Sequence, residues 1–174
     1  PGPDGLEQYQ AFCRGRSIAF EQEFGTHFKT QLPASSAVGC KEPLLTIAFA
    51  TSSHQPRHVE NPLQIPAYDY PGEYGPRAPS FARATVVPGD GRTAVFISGT
   101  AAVRGHATVD AASTRGQLDC TLENLRELSL TCDLGPDLGS GGGWFRHFKV
   151  YLRHADEQPA VAAELNQRLL QPGD

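Results

Sequence analysis

The stretch from residue 55 to residue 80 constrains the fold more than any other part of this sequence, because six of its residues are proline. Proline fixes its own φ angle and has no backbone N–H, so the stretch cannot form a long helix or a central strand. It also holds three tyrosines, which argues against a solvated flexible linker. We therefore expect an ordered loop, pinned across the surface, of the kind that often carries function.

Regular elements are predicted before this loop. Apolar residues at helical spacing predict a helix from Leu6 to Phe24, which Gly25 can end in a left-handed conformation. The short apolar run Leu44–Ala50 lies between a proline and a Thr-Ser-Ser cluster, which favours a buried strand.

A β-hairpin is predicted directly after the loop. Two β-rich runs, Phe81–Val87 and Thr93–Gly99, flank the turn sequence Pro88–Gly91, in which Asp-Gly supplies the positive φ angles of a tight turn. Residues 101–109 are predicted to be extended.

Two helices and one strand are predicted for the rest of the chain. Regularly spaced leucines predict a helix over Thr114–Leu130, and Asp156 can cap a second helix that runs to about Leu170. Alternating apolar residues predict a strand over Trp144–Arg153. This order of elements predicts an α+β fold in which two helices pack on one face of a mainly antiparallel sheet.

The charge balance excludes some classes of partner. The 174 residues include 15 Lys and Arg against 19 Asp and Glu, which gives a net charge of −4. Neither a broad nucleic-acid surface nor a polybasic membrane contact fits this balance, so any bound anion must be held locally. No apolar run is long enough to span a bilayer, and we expect a soluble cytoplasmic protein.

The cysteines and histidines do not predict a metal site. Cys13, Cys40, Cys120 and Cys132 are irregularly spaced, which favours free buried thiols. His54 and His58 have a spacing that fits a metal ion only on a helix, and a proline stands between them. Because the sequence contains no methionine even at its first position, it is interpreted as a piece of a longer chain.

Arg77 is the first candidate for a binding residue. It stands in a proline-flanked turn near Tyr74, so its guanidinium could be held ready for a carboxylate. A surface turn in which Arg77 pairs with Glu73 is an equally good interpretation. Arg83 lies on the first hairpin strand and points either into a cleft or into water.

The second candidate is a group of small residues at a strand end: Ser98, Gly99, Thr100 and Ala101. Small residues let a ligand approach the backbone closely, although Gly99 is also consistent with a plain β-bulge. His106 could act as an acid or base, but a structural role is the more common one for a lone histidine. Lys149 and Tyr151 share a polar strand face that could equally be solvated.

Five short motifs in this order are similar to the FkbO/Hyg5-like chorismatase family, which includes 3-hydroxybenzoate synthases. They are Glu60–Tyr68, Tyr74–Arg77, Pro79–Ala84, Phe96–Ala101 and Gly105–His106. The resemblance runs from about Tyr9 to near the end of the chain. It implies a Rid-like (YjgF-like) α+β fold, which agrees with the predicted order of elements.

The resemblance implies a secondary-metabolic enzyme that hydrolyses chorismate. The products would be pyruvate and either a dihydroxycyclohexadiene carboxylate or 3-hydroxybenzoate, formed without a metal or organic cofactor. It implies that Arg77 binds a substrate carboxylate, with Tyr74 and Arg83 lining the pocket. Ser98–Ala101 would form a close-packed wall near the ring, and Lys149 and Tyr151 are further candidates.

The resemblance also predicts how the chain is divided. Residues 1–80 would form a helix, a strand and the proline-rich loop, and residues 81–174 would form the Rid-like catalytic domain. The family's last strand, with its general-acid glutamate, would follow Asp174, so we expect this chain alone to be impaired in catalysis. The missing part would come from the remainder of its own chain or from a trimer-like assembly.

Two other functions stay open. The chain could be a Rid-type hydrolase of imines or enamines, although the substrate-clamping arginine of those enzymes would also lie in the absent last strand. It could instead be a non-catalytic binding or assembly module of the same fold. Chorismate affinity without turnover would distinguish the latter from an enzyme.

Overall fold

A computed structural model describes residues 3–39 and 45–174. The helices in these ranges are α1 (Gln8–Phe24), α2 (Thr114–Thr131) and α3 (Gln158–Arg168). The strands are β1 (Arg57–Val59), β2 (Ala84–Pro88), β3 (Thr93–Ile97), β4 (Val103–Arg104) and β5 (Ala107–Thr108). The chain is therefore α+β with antiparallel sheets, as predicted. None of the helices described has both the length and the apolar character needed to cross a bilayer.

Helix α1 confirms the predicted first helix. The Glu7 side chain caps its start by accepting a hydrogen bond from the Tyr9 N–H, and Gly25 ends it at a φ of 58°. The buried face carries Cys13 and Ser17. Arg16 lies beside that face, where its Nε donates to the Ser80 carbonyl at 2.8 Å.

The predicted hairpin is confirmed as β2 and β3. They pair antiparallel with Ala84 opposite Ile97, and Gly91 at a φ of 78° turns the chain between them. The unpredicted β1 pairs with the other edge of β2, which makes β2 the central strand of a three-stranded sheet.

The described residues divide into two compact units. Residues up to Asn61 together with Ile65–Gly99 form the first unit, which contains α1 and the three-stranded sheet. Residues 62–64 together with Thr100–Asp174 form the second. The division at residue 80 that the resemblance implies stays a prediction.

The second unit contains the small β4–β5 sheet and both later helices. The predicted helix over Thr114–Leu130 is confirmed as α2, and the Ser113 side chain caps it. The predicted last helix is confirmed as α3, which begins two residues after the expected cap and buries Val161 and Leu165. Helices α2 and α3 contact each other.

Two predicted strands are wrong. Residues 45–50, the described part of Leu44–Ala50, form no strand, and Leu45, Ile47 and Phe49 are exposed. The predicted strand Trp144–Arg153 is also irregular and largely exposed. The first segment is a short apolar run and the second has an alternating pattern, but a strand needs a hydrogen-bonded neighbour, and neither segment pairs with one among the described residues.

Candidate functional site

Strand pairing places Glu60 next to Arg83. Because Val59 of β1 lies opposite Ala84 of β2, the next position along the antiparallel ladder brings Glu60 and Arg83 together. Arg83 is buried, with 6% of its surface exposed, and Glu60 is half-buried. The Arg83 side chain therefore does not point into water, but it also lines neither of the two concavities described below.

The Arg83 guanidinium holds the proline-rich loop against the sheet. Its Nη2 donates to the Ile65 carbonyl at 3.1 Å and to the Tyr70 hydroxyl at 2.9 Å. The guanidinium carbon also lies 5.7 Å from the centre of the Tyr70 ring and 5.1 Å from that of Phe81. We call Glu60, Ile65, Tyr70, Phe81 and Arg83 the Arg83 cluster.

Two polar atoms of this cluster, Arg83 Nε and Glu60 Oε2, have no hydrogen-bond partner in residues 3–39 and 45–174. Burial raises the pKa of Glu60 to about 7, which outweighs the opposing attraction of Arg83. The nearby Asp69 carboxylate raises it further, and a hydrogen bond from the Arg83 backbone N–H lowers it. Glu60 can therefore hold or release a proton near neutral pH.

An ion pair also fastens the proline-rich loop. Lys29 Nζ lies 2.5 Å from Asp69 Oδ1 and 5.5 Å from the centre of the Tyr68 ring. These contacts and those of Arg83 give the physical reason why a proline-rich stretch is ordered here.

Tyr74 and Arg77 lie on the exposed side of the loop. The Tyr74 ring is tilted against that of Tyr70 at 5.4 Å, which connects it to the Arg83 cluster. Arg77 forms an exposed ion pair with Glu21 of α1 at 2.9 Å, rather than with the expected Glu73. Arg77 lines neither of the two concavities described below.

Ser98 serves the packing of the first unit. It is buried, its hydroxyl donates to the Ala82 carbonyl at 2.5 Å, and its Oγ accepts from the Ser35 N–H at 2.8 Å. These bonds join the end of β3 to the segment that follows α1. The hydroxyl is therefore already engaged.

A cavity of about 100 Å³ lies beside Ser98 in the first unit. Its walls are Tyr9, Phe12, Cys13, Arg16, Ser35, Ser36, Ala37, Pro79, Ser80, Phe81 and Gly99. We call it the Arg16 cavity. Gly99 is the one predicted site residue on its wall, and a Cβ there would lie 3.5 Å from Ser36 Oγ.

The remaining predicted residues lie in the second unit. The exposed Ala101 uses its carbonyl to accept a hydrogen bond at 2.9 Å from the fully buried Asn124, and Thr100 is half-buried beside it. Lys149 and Tyr151 are exposed on the irregular segment after the glycines. The structure thus brings Tyr74 and Arg83 together around Tyr70, and it brings Ser98 and Gly99 together beside the Arg16 cavity.

The second unit has an open groove of about 440 Å³ between the middle of α2, the end of α3 and the turn at residues 136–140. Leucines line its floor, and Arg168 on its rim is already paired with Asp119 at 2.5 Å and with Glu164 at 3.4 Å. No predicted site residue lines this groove. The described residues also contain no cluster of three potential metal ligands.

Sequence reasoning missed Glu60, Arg16 and Ser80 as functional candidates. Glu60 and Ser80 stood inside recognised motifs, but their surroundings depend on the unpredicted strand β1 and on the docking of α1. Arg16 had a local signal, because a charged residue one turn from Cys13 lies at the edge of the apolar face of the helix.

Comparisons with known proteins agree with the resemblance. The family model for the N-terminal part of FkbO/Hyg5-like chorismatases matches residues 1–51. A 3-hydroxybenzoate synthase of Streptomyces hygroscopicus is 40% identical over 91% of this chain and 48% of its own length. This chain is therefore similar in sequence to chorismatases over nearly all of its own length. It spans about half the length of the curated relatives it matches.

Two further matches extend the chorismatase relationship. A chorismatase of Streptomyces rapamycinicus is 36% identical over 97% of this chain and 52% of its own length. A crystal structure of a chorismatase superposes with a TM-score of 0.74 at 27% identity, over 99% of this chain and 53% of that one. Residues 1–51, which the N-terminal family model matches, contain α1 and therefore Arg16. The Arg83 cluster follows this range in the sequence.

Proposed function

We propose that this protein hydrolyses the enolpyruvyl ether of chorismate and releases pyruvate. The observation that carries the proposal is the 40% identity with a 3-hydroxybenzoate synthase over 91% of the chain. The second product is either 3-hydroxybenzoate or a dihydroxycyclohexadiene carboxylate, since the relatives include both a 3-hydroxybenzoate synthase and enzymes named chorismatase.

The proposed reaction needs a proton, a water molecule and a clamp for two carboxylates. A proton adds to the methylene carbon of the enol ether and gives an oxocarbenium ion. Water adds to that ion, and the resulting hemiketal breaks its bond to the ring oxygen and releases pyruvate, the proton and the dihydroxycyclohexadiene carboxylate. Where the ring product is 3-hydroxybenzoate, the ring also loses one hydroxyl and one hydrogen as water when it becomes aromatic, so no water is consumed overall. This balance requires no metal or organic cofactor, and fixed cationic side chains would orient the substrate.

Arg77 is proposed to bind one substrate carboxylate. Its present partner is Glu21, in an ion pair whose two side chains are 42% and 47% exposed. Exposed pairs of this kind stabilise a protein by only about 0–1 kcal/mol, so a substrate carboxylate can replace Glu21 at little cost. The hydrogen bond at 3.3 Å from Gln10 to the Tyr74 carbonyl holds the same loop against α1.

Arg83 is proposed to position this loop rather than to touch the substrate. It is buried and lines neither described concavity, while its hydrogen bonds fix Ile65 and Tyr70. Tyr74 packs on Tyr70 and would line the pocket at the surface. Ser98–Ala101, Lys149 and Tyr151 remain proposed substrate contacts on the strength of the resemblance.

The finer assignments are part of the same proposal. We propose a Rid-like fold for residues 81–174 and a preceding region over residues 1–80. A cytoplasmic location is supported by the free, buried thiols of Cys13 and Cys120, which fit a reducing compartment. Chorismate is the proposed partner of the site.

A direct assay tests the proposed function. The intact protein is incubated with chorismate, pyruvate is followed with lactate dehydrogenase and NADH, and the aromatic products are separated by chromatography. We expect pyruvate and one ring product in equal amounts. An intact, folded protein that releases no pyruvate above the uncatalysed rate overturns the proposal.

A further inference from the structure

Arg16 carries a positive charge that no carboxylate neutralises among the described residues. Its Nε donates to the Ser80 carbonyl at 2.8 Å, and its guanidinium carbon lies 5.1 Å from the centre of the Phe20 ring. These contacts leave the two terminal amino groups without a partner in the described part of the chain. Arg77, by contrast, pairs with the carboxylate of Glu21, which lies on the same helix as Arg16.

The other titratable groups on the wall do not supply a negative charge. The Tyr9 hydroxyl and the Cys13 thiol are hydrogen-bonded to each other, and burial raises the pKa of both. Both are therefore neutral at pH 7. Of the described residues that line the Arg16 cavity, none is a carboxylate, so an anion there would meet the guanidinium without an opposing acidic side chain from this part of the chain.

The Ser80 hydroxyl is an independent sign of a missing ligand. Ser80 is 2% exposed, lines the Arg16 cavity, and its Oγ has no hydrogen-bond partner among the residues that the structure describes. Buried hydroxyls without a partner are rare in native structures, because desolvation is then uncompensated. A hydroxyl can donate to an anion while the neighbouring guanidinium offers two further N–H groups.

The size and walls of the cavity select the kind of anion. At about 100 Å³ it has room for about three water molecules, and whole-ligand pockets usually measure about 300–1,000 Å³. One guanidinium matches one negative charge, whereas a phosphate group carries more. The apolar surfaces of Phe12, Phe81 and Ala37 favour a carbon substituent beside the charge.

We propose that the Arg16 cavity is a binding site for a small monocarboxylate of the size of acetate or pyruvate. The carboxylate pairs with the Arg16 guanidinium and accepts a hydrogen bond from Ser80, while the short carbon chain lies against the apolar wall. This goes beyond the proposed hydrolysis of chorismate, since the site is too small for chorismate and its ligand binds whether or not that reaction occurs.

Ligand-dependent thermal stability and NMR test this site. The protein is titrated with sodium pyruvate and sodium acetate at constant ionic strength, with sodium sulfate as the anion control. A ligand that binds the native state raises Tm with its concentration, and saturation-transfer NMR gives an independent measure of binding. We expect pyruvate and acetate to raise Tm, and sulfate to have a smaller effect than either.

Matched variants identify the contacts. R16Q should weaken pyruvate binding about tenfold or more, because it removes a charged hydrogen-bonding partner. R14Q is the control, since Arg14 lies on the same helix and pairs with Asp4 outside the cavity. S80A should weaken binding without lowering Tm, because it deletes a hydroxyl that has no partner in the free protein.

The outcomes separate this site from the proposed function. If pyruvate binds, and R16Q abolishes binding while the control R14Q does not, the cavity is a monocarboxylate site even when chorismate is not hydrolysed. If R16Q does not fold, R16K keeps the charge with a different geometry, and S80A still tests the hydroxyl. The inference is overturned if the wild type does not bind pyruvate. It is also overturned if pyruvate binding is unchanged both in S80A and in the arginine variant that folds, R16Q or R16K.

Discussion

Replacement of Glu60 by Gln should change how the stability of the protein depends on pH. The Glu60 carboxyl has a pKa of about 7 in the folded chain against an ordinary 4.5, mainly because it is buried. Between these values the folded state binds a proton that the unfolded state has lost. The free energy of unfolding therefore falls as the pH rises from about 4.5 to about 7. Gln cannot ionise, so the E60Q variant lacks this decline.

The size of the effect follows from the shift. A difference of about 2.5 pKa units corresponds to about 3.4 kcal/mol at 1.36 kcal/mol per unit. Glu60 is only half-buried, and solvent screening reduces this to about 1–2 kcal/mol. The free energy of unfolding of E60Q minus that of the wild type should therefore be larger at pH 8 than at pH 4.5 by about 1–2 kcal/mol.

Urea unfolding between pH 4.5 and pH 8 measures this difference. The matched control is E23Q, which removes an exposed carboxylate near the end of α1. If E60Q and the wild type keep a constant difference across the range, the Glu60 carboxyl does not titrate in the way described. The assignment of a buried, neutral acid beside Arg83 would then be wrong.

Three further substitutions test other contacts. R77Q should raise the KM for chorismate about tenfold or more while changing stability by less than about 1 kcal/mol, with R115Q, which removes another exposed ion pair, as the control. Y70F should lower the free energy of unfolding by about 0.5–1.5 kcal/mol, measured in urea, because it removes the hydroxyl that Arg83 binds. N124A should cost about 2–4 kcal/mol in the same assay, since it removes a fully buried amide that donates to the carbonyls of Ala101 and Val103 and accepts from Arg104. If the urea unfolding curve of Y70F or N124A overlays that of the wild type, the prediction for that variant is wrong.

The elements with strong local signals were predictable from the sequence. The turn residues between β2 and β3 fix a hairpin whatever surrounds it, and the leucine spacing of α2 predicts a buried helical face. The same local reasoning placed Arg83 on the first hairpin strand, whereas β2 begins one residue later at Ala84, and the direction of the side chain was left open. The proline-rich loop was expected to be ordered, and Lys29 and Arg83 supply the contacts that order it.

The contacts that depend on distant pairing were not predictable. Strand β1 has three residues and lies inside the proline-rich stretch, so no local pattern indicates that it pairs with β2. Without that register, nothing in the sequence brings Glu60 to Arg83. The failures at residues 45–50 and Trp144–Arg153 have the opposite cause, because a short apolar run or an alternating pattern predicts a strand whether or not a partner strand is there.

Three arginines of the first unit differ in how their charge is balanced, and this difference decides what each can bind. Arg77 already has the Glu21 carboxylate, so a ligand there must compete in an exposed pair. Arg83 is buried among a carbonyl, a hydroxyl and two rings, and a ligand would have to open the loop to reach it. Arg16 lines a cavity and has no carboxylate partner among the described residues, so an anion there displaces no acidic side chain. Charge balance therefore ranks Arg16 above the two motif arginines as an anion-binding residue in this conformation.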